Sequence, residues 1–179
     1  MHPKKKTLGW IILIGGLAVV GSYIYTALAH PTSLPELWGN TPAELLPFYT
    51  VNMFLAAAGF FAFSTFLLFR IDPERTRVFR RSGYTVFNWI YLGILIPSAL
   101  WTPFALVMLE QPSGTMWFLI RAVLALTGAS SLLLLAALLT LQPRQSSWSY
   151  RLAVLGAVFF CLQTGLLDAL LWPMYFPMQ

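Results

Sequence analysis

Five uninterrupted apolar runs, at residues 8–29, 46–69, 85–109, 116–141 and 152–175, decide what this chain can fold into. A bilayer's hydrocarbon core of ~30 Å is crossed by roughly 20 helical residues at about 1.5 Å each, and every run reaches that length. Backbone amides in lipid must find their partners within the protein, which leaves only helices and closed barrels. Barrel strands are about 9–11 residues long and alternate in polarity; these runs are twice as long and do not alternate. The expected fold is therefore an all-α integral membrane protein, one transmembrane domain over residues 1–179 built as a bundle of five transmembrane helices. Composition agrees: 58% of residues are hydrophobic and 9% are charged. Soluble domains carry ~25% charged residues, so a soluble core, a disordered chain and a disulfide scaffold are all excluded.

The few charges give the bundle a direction. Lys4, Lys5 and Lys6 precede the first run, and Arg70, Arg75, Arg77, Arg80 and Arg81 separate the second from the third. Arg144 and Arg151 flank the gap between the fourth and fifth, whereas gaps 30–45 and 110–115 hold no Lys or Arg. Ten of the eleven basic residues thus share one side, which the positive-inside rule assigns to the cytoplasm. The N-terminus is expected inside and the C-terminus outside, in a multi-pass protein of the cell membrane (the inner membrane in a bacterium). The net charge of +5 is then juxtamembrane and reads as attraction to anionic lipid headgroups, not to nucleic acid. Trp10, Trp89 and Trp148 near the inner boundary, with Trp117 and Trp172 near the outer one, are placed as an aromatic belt. Lys4 to Lys6, the first run and Ala27-Leu28-Ala29 have the outline of a signal peptide. Its apolar stretch of about 20 residues exceeds the usual 7–15, so it is read as a retained first helix.

Between the second and third runs, Asp72-Pro73-Glu74-Arg75 has the form of a helix start, with Asp as cap and Pro at the first position, and a short amphipathic turn is expected. The outer loop 30–45 is long enough to fold over the mouth of the bundle, with Trp38 as its apolar anchor. Cys161 has no second cysteine to pair with and reads as a small packing residue. Bis-histidine haem needs two His within the bundle, but His2 and His30 lie at its ends; covalently attached haem is not expected either. Zinc needs three or four ligands, and no such cluster occurs. Nucleotide-binding and nucleophile-elbow motifs are missing. The chain is read as non-enzymatic.

Polar groups inside the spans are functional hypotheses by default. Arg121 and Asp168 lie roughly 8–10 Å deep from the outer ends of their helices at about 1.5 Å per residue, and opposite charges at one depth suggest an ion pair. Two faces of small residues would let helices 4 and 5 approach: Asp168, Thr164, Cys161, Ala157 and Ala153 on one, and Arg121, Ala125, Gly128 and Ser131 on the other. Asn52, Trp101, Thr102, Tyr23 and Tyr25 fall in the same outer layer, while the inner half is nearly bare except for Asn88, Tyr91, Thr65 and Ser64. Pro97 and Pro103 free the carbonyls of Gly93 and Ala99 and are expected to kink helix 3. Together these residues suggest an outward-facing pocket for a hydrophobic or amphipathic small molecule, lined by Arg121, Asp168, Asn52, Trp101, Thr102 and Thr164. Two other readings fit the same residues: an accessory or assembly subunit with membrane-protein partners, and a small proton-coupled transporter using Asp168.

Leu100-Trp101-Thr102-Pro103, in the third of five spans, resembles the third-helix segment of the tryptophan-rich sensory/translocator protein family, which binds tetrapyrroles and sterols. The likeness covers these four residues. The aromatic- and proline-rich start of that family's second helix is missing, and Ser98 stands where its third helix carries Asn. No function is carried over.

Overall fold

Each apolar run is a helix in the computed structural model, which describes residues 2–144 and 146–176. The helices are α1 Pro3–Ala29, α2 Leu46–Phe69, α3 Val86–Glu110, α4 Gly114–Leu139 and a fifth span, Trp148–Tyr175. All five are long and apolar enough to cross a membrane. Three of them begin before their apolar runs because polar first turns are capped. Pro3 opens α1 behind His2, whose Nδ1 accepts from Lys4 N at 3.3 Å. Ser113 Oγ accepts from Met116 N at 3.2 Å, and Ser147 Oγ from Tyr150 N at 3.3 Å. These hydroxyls satisfy amides that the first helical turn leaves without intrahelical partners.

The spans run up and down, and their packing order is not their chain order. α1 packs along α3, α3 on α4, α4 on the fifth span and the fifth span on α2, while α1 barely touches α2. The result is a ring that is open between its first and second helices. Two glycines set its tightest contact: a Cβ on Gly156 would lie 2.5 Å from Gly59 Cα, and one on Gly59 would meet the Gly156 carbonyl. α4 and the fifth span also meet through glycine, since a Cβ on Gly128 would come within 3.0 Å of Gly165 Cα. Pro97 and Pro103 both lie within an α3 that stays continuous from Val86 to Glu110.

One end of the ring carries the N-terminus and the loops 70–85 and 140–147, and with them ten of the eleven basic residues. These segments are tied together: Arg77 and Gln142 exchange backbone hydrogen bonds of 3.0 and 2.8 Å. Glu74 receives both His2 Nε2 at 3.0 Å and Lys4 Nζ at 3.1 Å. The short turn expected from Asp72 forms, with Glu74 N donating to Asp72 Oδ1 at 3.0 Å, and goes no further. Both the amide and the hydroxyl of Thr76 return to the Asp72 carbonyl, and the chain then folds into a tight Val78–Ser82 turn with Phe79 and Arg80 at positive φ. The opposite end, here the loop end, carries segment 30–45.

Two apolar clusters fill the ring and leave a gap between them. The larger lies toward the basic end around Phe63, Phe66, Tyr84, Tyr91, Leu134 and Leu138. The smaller lies at the loop end around Leu37, Met108, Ile120, Leu124, Trp172 and Phe176. Trp172 is only 5% exposed and packs on Trp101, Trp117 and Phe176 with ring centroids 5.7, 6.3 and 4.5 Å apart. Trp172 therefore belongs to the core and not to a belt, whereas Trp10, Trp89 and Trp148 do face outward.

Candidate functional site

Between the two clusters lies a cavity of about 810 Å³, to which all five spans and the loop contribute. Its lining changes character along its length. Toward the basic end the wall is aliphatic and phenyl: Leu13, Leu17, Ala57, Phe60, Ile94 and Phe160 are representative. Toward the loop end it turns polar and aromatic, with Tyr23, Tyr49, Trp101, Thr102, Gln163 and Asp168. From Ile12 to Thr26 on α1 this is roughly 21 Å at about 1.5 Å per residue. The cavity is amphipathic, and among the described residues Asp168 is the only formally charged one that lines it.

Asp168 stands on an unusual stretch of backbone. From Leu162 to Leu171 the fifth span is wound as a π-helix, with α-helix on both sides. Bonding from i to i+5 widens each turn, and such stretches are rare and often lie at functional sites. The widening has a local consequence. Gln163 Nε2 donates to Asp168 Oδ1 at 2.8 Å, yet residues five apart in an α-helix point about 140° away from each other. Only the wider winding brings these two side chains together.

α2 holds this stretch in place. Asn52 Nδ2 donates to Gln163 Oε1 at 3.0 Å and lies 3.2 Å from the Phe159 carbonyl, which it also reaches as donor. Tyr49 OH donates to the Leu167 carbonyl at 3.1 Å. On the other side, Thr164 Oγ1 bonds Ser131 Oγ of α4 at 2.8 Å and its own Phe160 carbonyl at 2.9 Å. Asn52, Gln163 and Asp168 therefore form one polar chain from α2 into the cavity. Among the described residues Asp168 has this single hydrogen-bond partner and no ion-pair partner.

The expected Arg121–Asp168 pair is not formed. The buried positions of α4 include Ile120, Leu124, Thr127, Ser131, Leu134 and Leu138, one helical face at i+3 and i+4 spacing. Arg121 follows Ile120 by one residue, about 100° round the helix, and is exposed. It borders a second groove, about 730 Å³, on the outer side of α4 and the fifth span, with Trp117, Ala125, Gly128, Gly165 and Ala169. The other sequence-selected residues do converge. Trp101, Thr102, Thr164 and Asp168 line the cavity, and Asn52 stands behind it through Gln163. Trp101 Nε1 donates to Tyr23 OH at 2.8 Å, joining α3 to α1. Thr102 Oγ1 is buried without a hydrogen-bond partner among the described residues.

The loop lies over the polar end. Leu34, Leu37 and Trp38 contribute to the cavity wall, Trp172 Nε1 donates to the Leu37 carbonyl at 2.8 Å, and Asn40 N donates to the Tyr175 carbonyl at 2.8 Å. Leu37 is the buried anchor, and Trp38 stands edge-on to Tyr49 at 5.8 Å. The wall is incomplete on the side where α1 and α2 fail to meet. There Leu13, Leu17, Met53 and Phe61 line the cavity yet stay exposed, Phe61 by 71%.

Gln163 and Tyr49 were not selected from the sequence. A lone amide within an apolar run was the available signal for Gln163, but its five-residue spacing from Asp168 matches no α-helical face.

Fold and site together define an all-helical protein with five helices long and apolar enough to span a membrane, arranged as an open ring about an amphipathic cavity. No protein-family model matches the chain, and no curated protein or solved structure is significantly similar to it.

Proposed function

We propose that this is a non-enzymatic, multi-pass membrane protein that holds a hydrophobic or amphipathic small molecule in the cavity between its two apolar clusters. The basic end faces the cytoplasm and the loop end faces outward, as the ten clustered cations favour. The observation that carries the reading is the cavity itself. Its 810 Å³ falls within the ~300–1,000 Å³ of small-molecule sites, which are mostly apolar with a few placed polar groups. Its gap faces the side of the bundle, so a lipid-soluble molecule reaches it from the bilayer between α1 and α2. Asp168, with a single hydrogen-bond partner among the described residues, and the neighbouring Tyr23 and Gln163 supply the polar contacts that fix orientation.

A second reading draws on the outer groove. Gly128, Ala125, Gly165 and Ala169 form a small-residue surface of the kind that lets another membrane helix approach closely. This favours an accessory subunit of a larger complex, with Arg121 at the contact. Native mass spectrometry after extraction in a neutral maltoside detergent tests both readings. One small molecule retained per chain supports the cavity, and a stoichiometric unlike protein supports the groove. A bare monomer contradicts both.

A further inference from the structure

The cavity's polar end has a charge balance that narrows the class of its ligand. Asp168 contributes a carboxylate, and among the described residues no Lys, Arg or His lines the cavity to meet it. A carboxylate surrounded by apolar wall needs either a countercharge or a set of donors. Gln163 provides one donor, to Oδ1. Oδ2 has no partner among the described residues.

Aromatic rings surround the same end in two groups. Tyr23, Trp101 and Trp172 form a run with centroid separations of 6.1 and 5.7 Å. Trp38 and Tyr49 form the other, 5.8 Å apart. Tyr49 is tied to the carbonyl beside Asp168, and Trp172 follows Asp168 by one turn of the same span. All five rings line the cavity. Ring faces attract cations, most strongly where water is excluded, and aromatic enclosures are a known way to hold quaternary ammonium groups. An anionic head would meet the carboxylate with no cation to offset it. A bare metal ion would find a single carboxylate.

We propose that the bound molecule is a cationic amphiphile whose ammonium head sits between Asp168 and the aromatic side chains of the loop end, with its hydrocarbon part lying along the apolar wall toward Phe60 and Phe160. The proposal rests on the small-molecule reading of the cavity. The same ammonium chemistry occurs on a free long-chain amine and on a choline lipid head, and the two differ in that the lipid head also brings a phosphate.

The test measures quenching of tryptophan fluorescence by single-chain amphiphiles brominated near the head, added to protein in neutral maltoside micelles. The outward-facing Trp10, Trp89 and Trp148 are first replaced by Phe, so that the remaining signal comes from the loop end. Trimethylammonium, hydroxyl, sulfate and phosphocholine heads are compared on one chain. The trimethylammonium probe is expected to quench saturably and to bind at least tenfold more tightly than the sulfate probe. Asp168→Asn keeps an acceptor for Gln163 and is expected to remove most of that preference, the trimethylammonium probe losing at least tenfold more affinity than the hydroxyl probe. A phosphocholine probe as tight as the trimethylammonium one identifies a lipid head as the source, and a weaker one identifies a free amine. Equal binding of trimethylammonium, hydroxyl and sulfate probes overturns the ammonium assignment but leaves the small-molecule reading standing. Saturable quenching by none of the probes overturns that reading as well. Should Asp168→Asn fail to fold, the comparison of heads on the unsubstituted residue decides the matter alone.

Discussion

Among the described residues Asp168 has one side-chain hydrogen-bond partner and no cation beside it, and that partner is itself held from a neighbouring helix. Asn52 bonds Gln163, and Gln163 bonds Asp168, so the position of the carboxylate depends on α2. Asn52→Leu leaves the Gln163 carbonyl oxygen unpaired in an apolar setting, where a lost partner costs about 1–3 kcal/mol. Arg121 has no such involvement. Arg121→Ala is expected to change stability by no more than about 0.5 kcal/mol, as for other exposed substitutions. Thermal unfolding in detergent checks the pair of variants; a large loss for Arg121→Ala would restore the ion pair that the geometry excludes. The positions of both residues along their helices were legible in the sequence, because counting from the end of an apolar run needs no knowledge of facing. Their azimuth was not. One residue's rotation turns Arg121 outward, and the π-helical stretch changes the facing of Asp168 in a way no α-helical periodicity describes.

At the scale of the element, two features of the fifth span have different causes. Its contact with α2 depends on the lack of side chains at Gly59 and Gly156. Gly59→Ala or Gly156→Ala inserts a methyl into backbone, and overpacking of this kind costs about 1–3 kcal/mol. Both variants are expected to lower the unfolding temperature in detergent, and two silent variants would show that the helices have room to separate. The π-helical stretch is held from outside by Asn52 and Tyr49 of α2, which bond the Phe159 and Leu167 carbonyls, and by Ser131 of α4, which accepts from the Thr164 hydroxyl. Helix identity and number followed from the apolar runs because desolvated backbone has so few options. The early starts at Pro3, Gly114 and Trp148 were visible only as capping residues, His2, Ser113 and Ser147, which hydropathy passes over. The Asp72 signal, in contrast, was a true turn whose continuation lost to the Arg77–Gln142 bridge.

For the whole molecule, the ring order matters more than any one contact. Because α1 packs on α3 and barely on α2, the bundle keeps an opening on its side while the loop lies over its polar end. This order was not legible in the sequence, since five apolar helices of similar length can close in several ways. The polar outer layer predicts a pocket that faces outward; in the structure the incomplete wall lies between α1 and α2. The charge distribution supports an orientation with the basic end in the cytoplasm, and a single cysteine placed at exposed Thr115 or at Arg81 tests it, with Cys161 replaced by Ala. In intact cells a membrane-impermeant maleimide is expected to label the first and not the second; the reverse pattern would invert the bundle.

The central claim is that the cavity is a binding site, and Gly16 gives the most direct access to it. Gly16 lines the cavity, and a Cβ added there meets nothing within 4 Å, so the side chain of Gly16→Phe starts in open space. The measurement is saturable quenching by the brominated hydroxyl-headed amphiphile, compared with and without Gly16→Phe at matched unfolding temperature. The account predicts that affinity falls at least tenfold in the variant. Unchanged saturable binding would place the amphiphile elsewhere on the protein and contradict it.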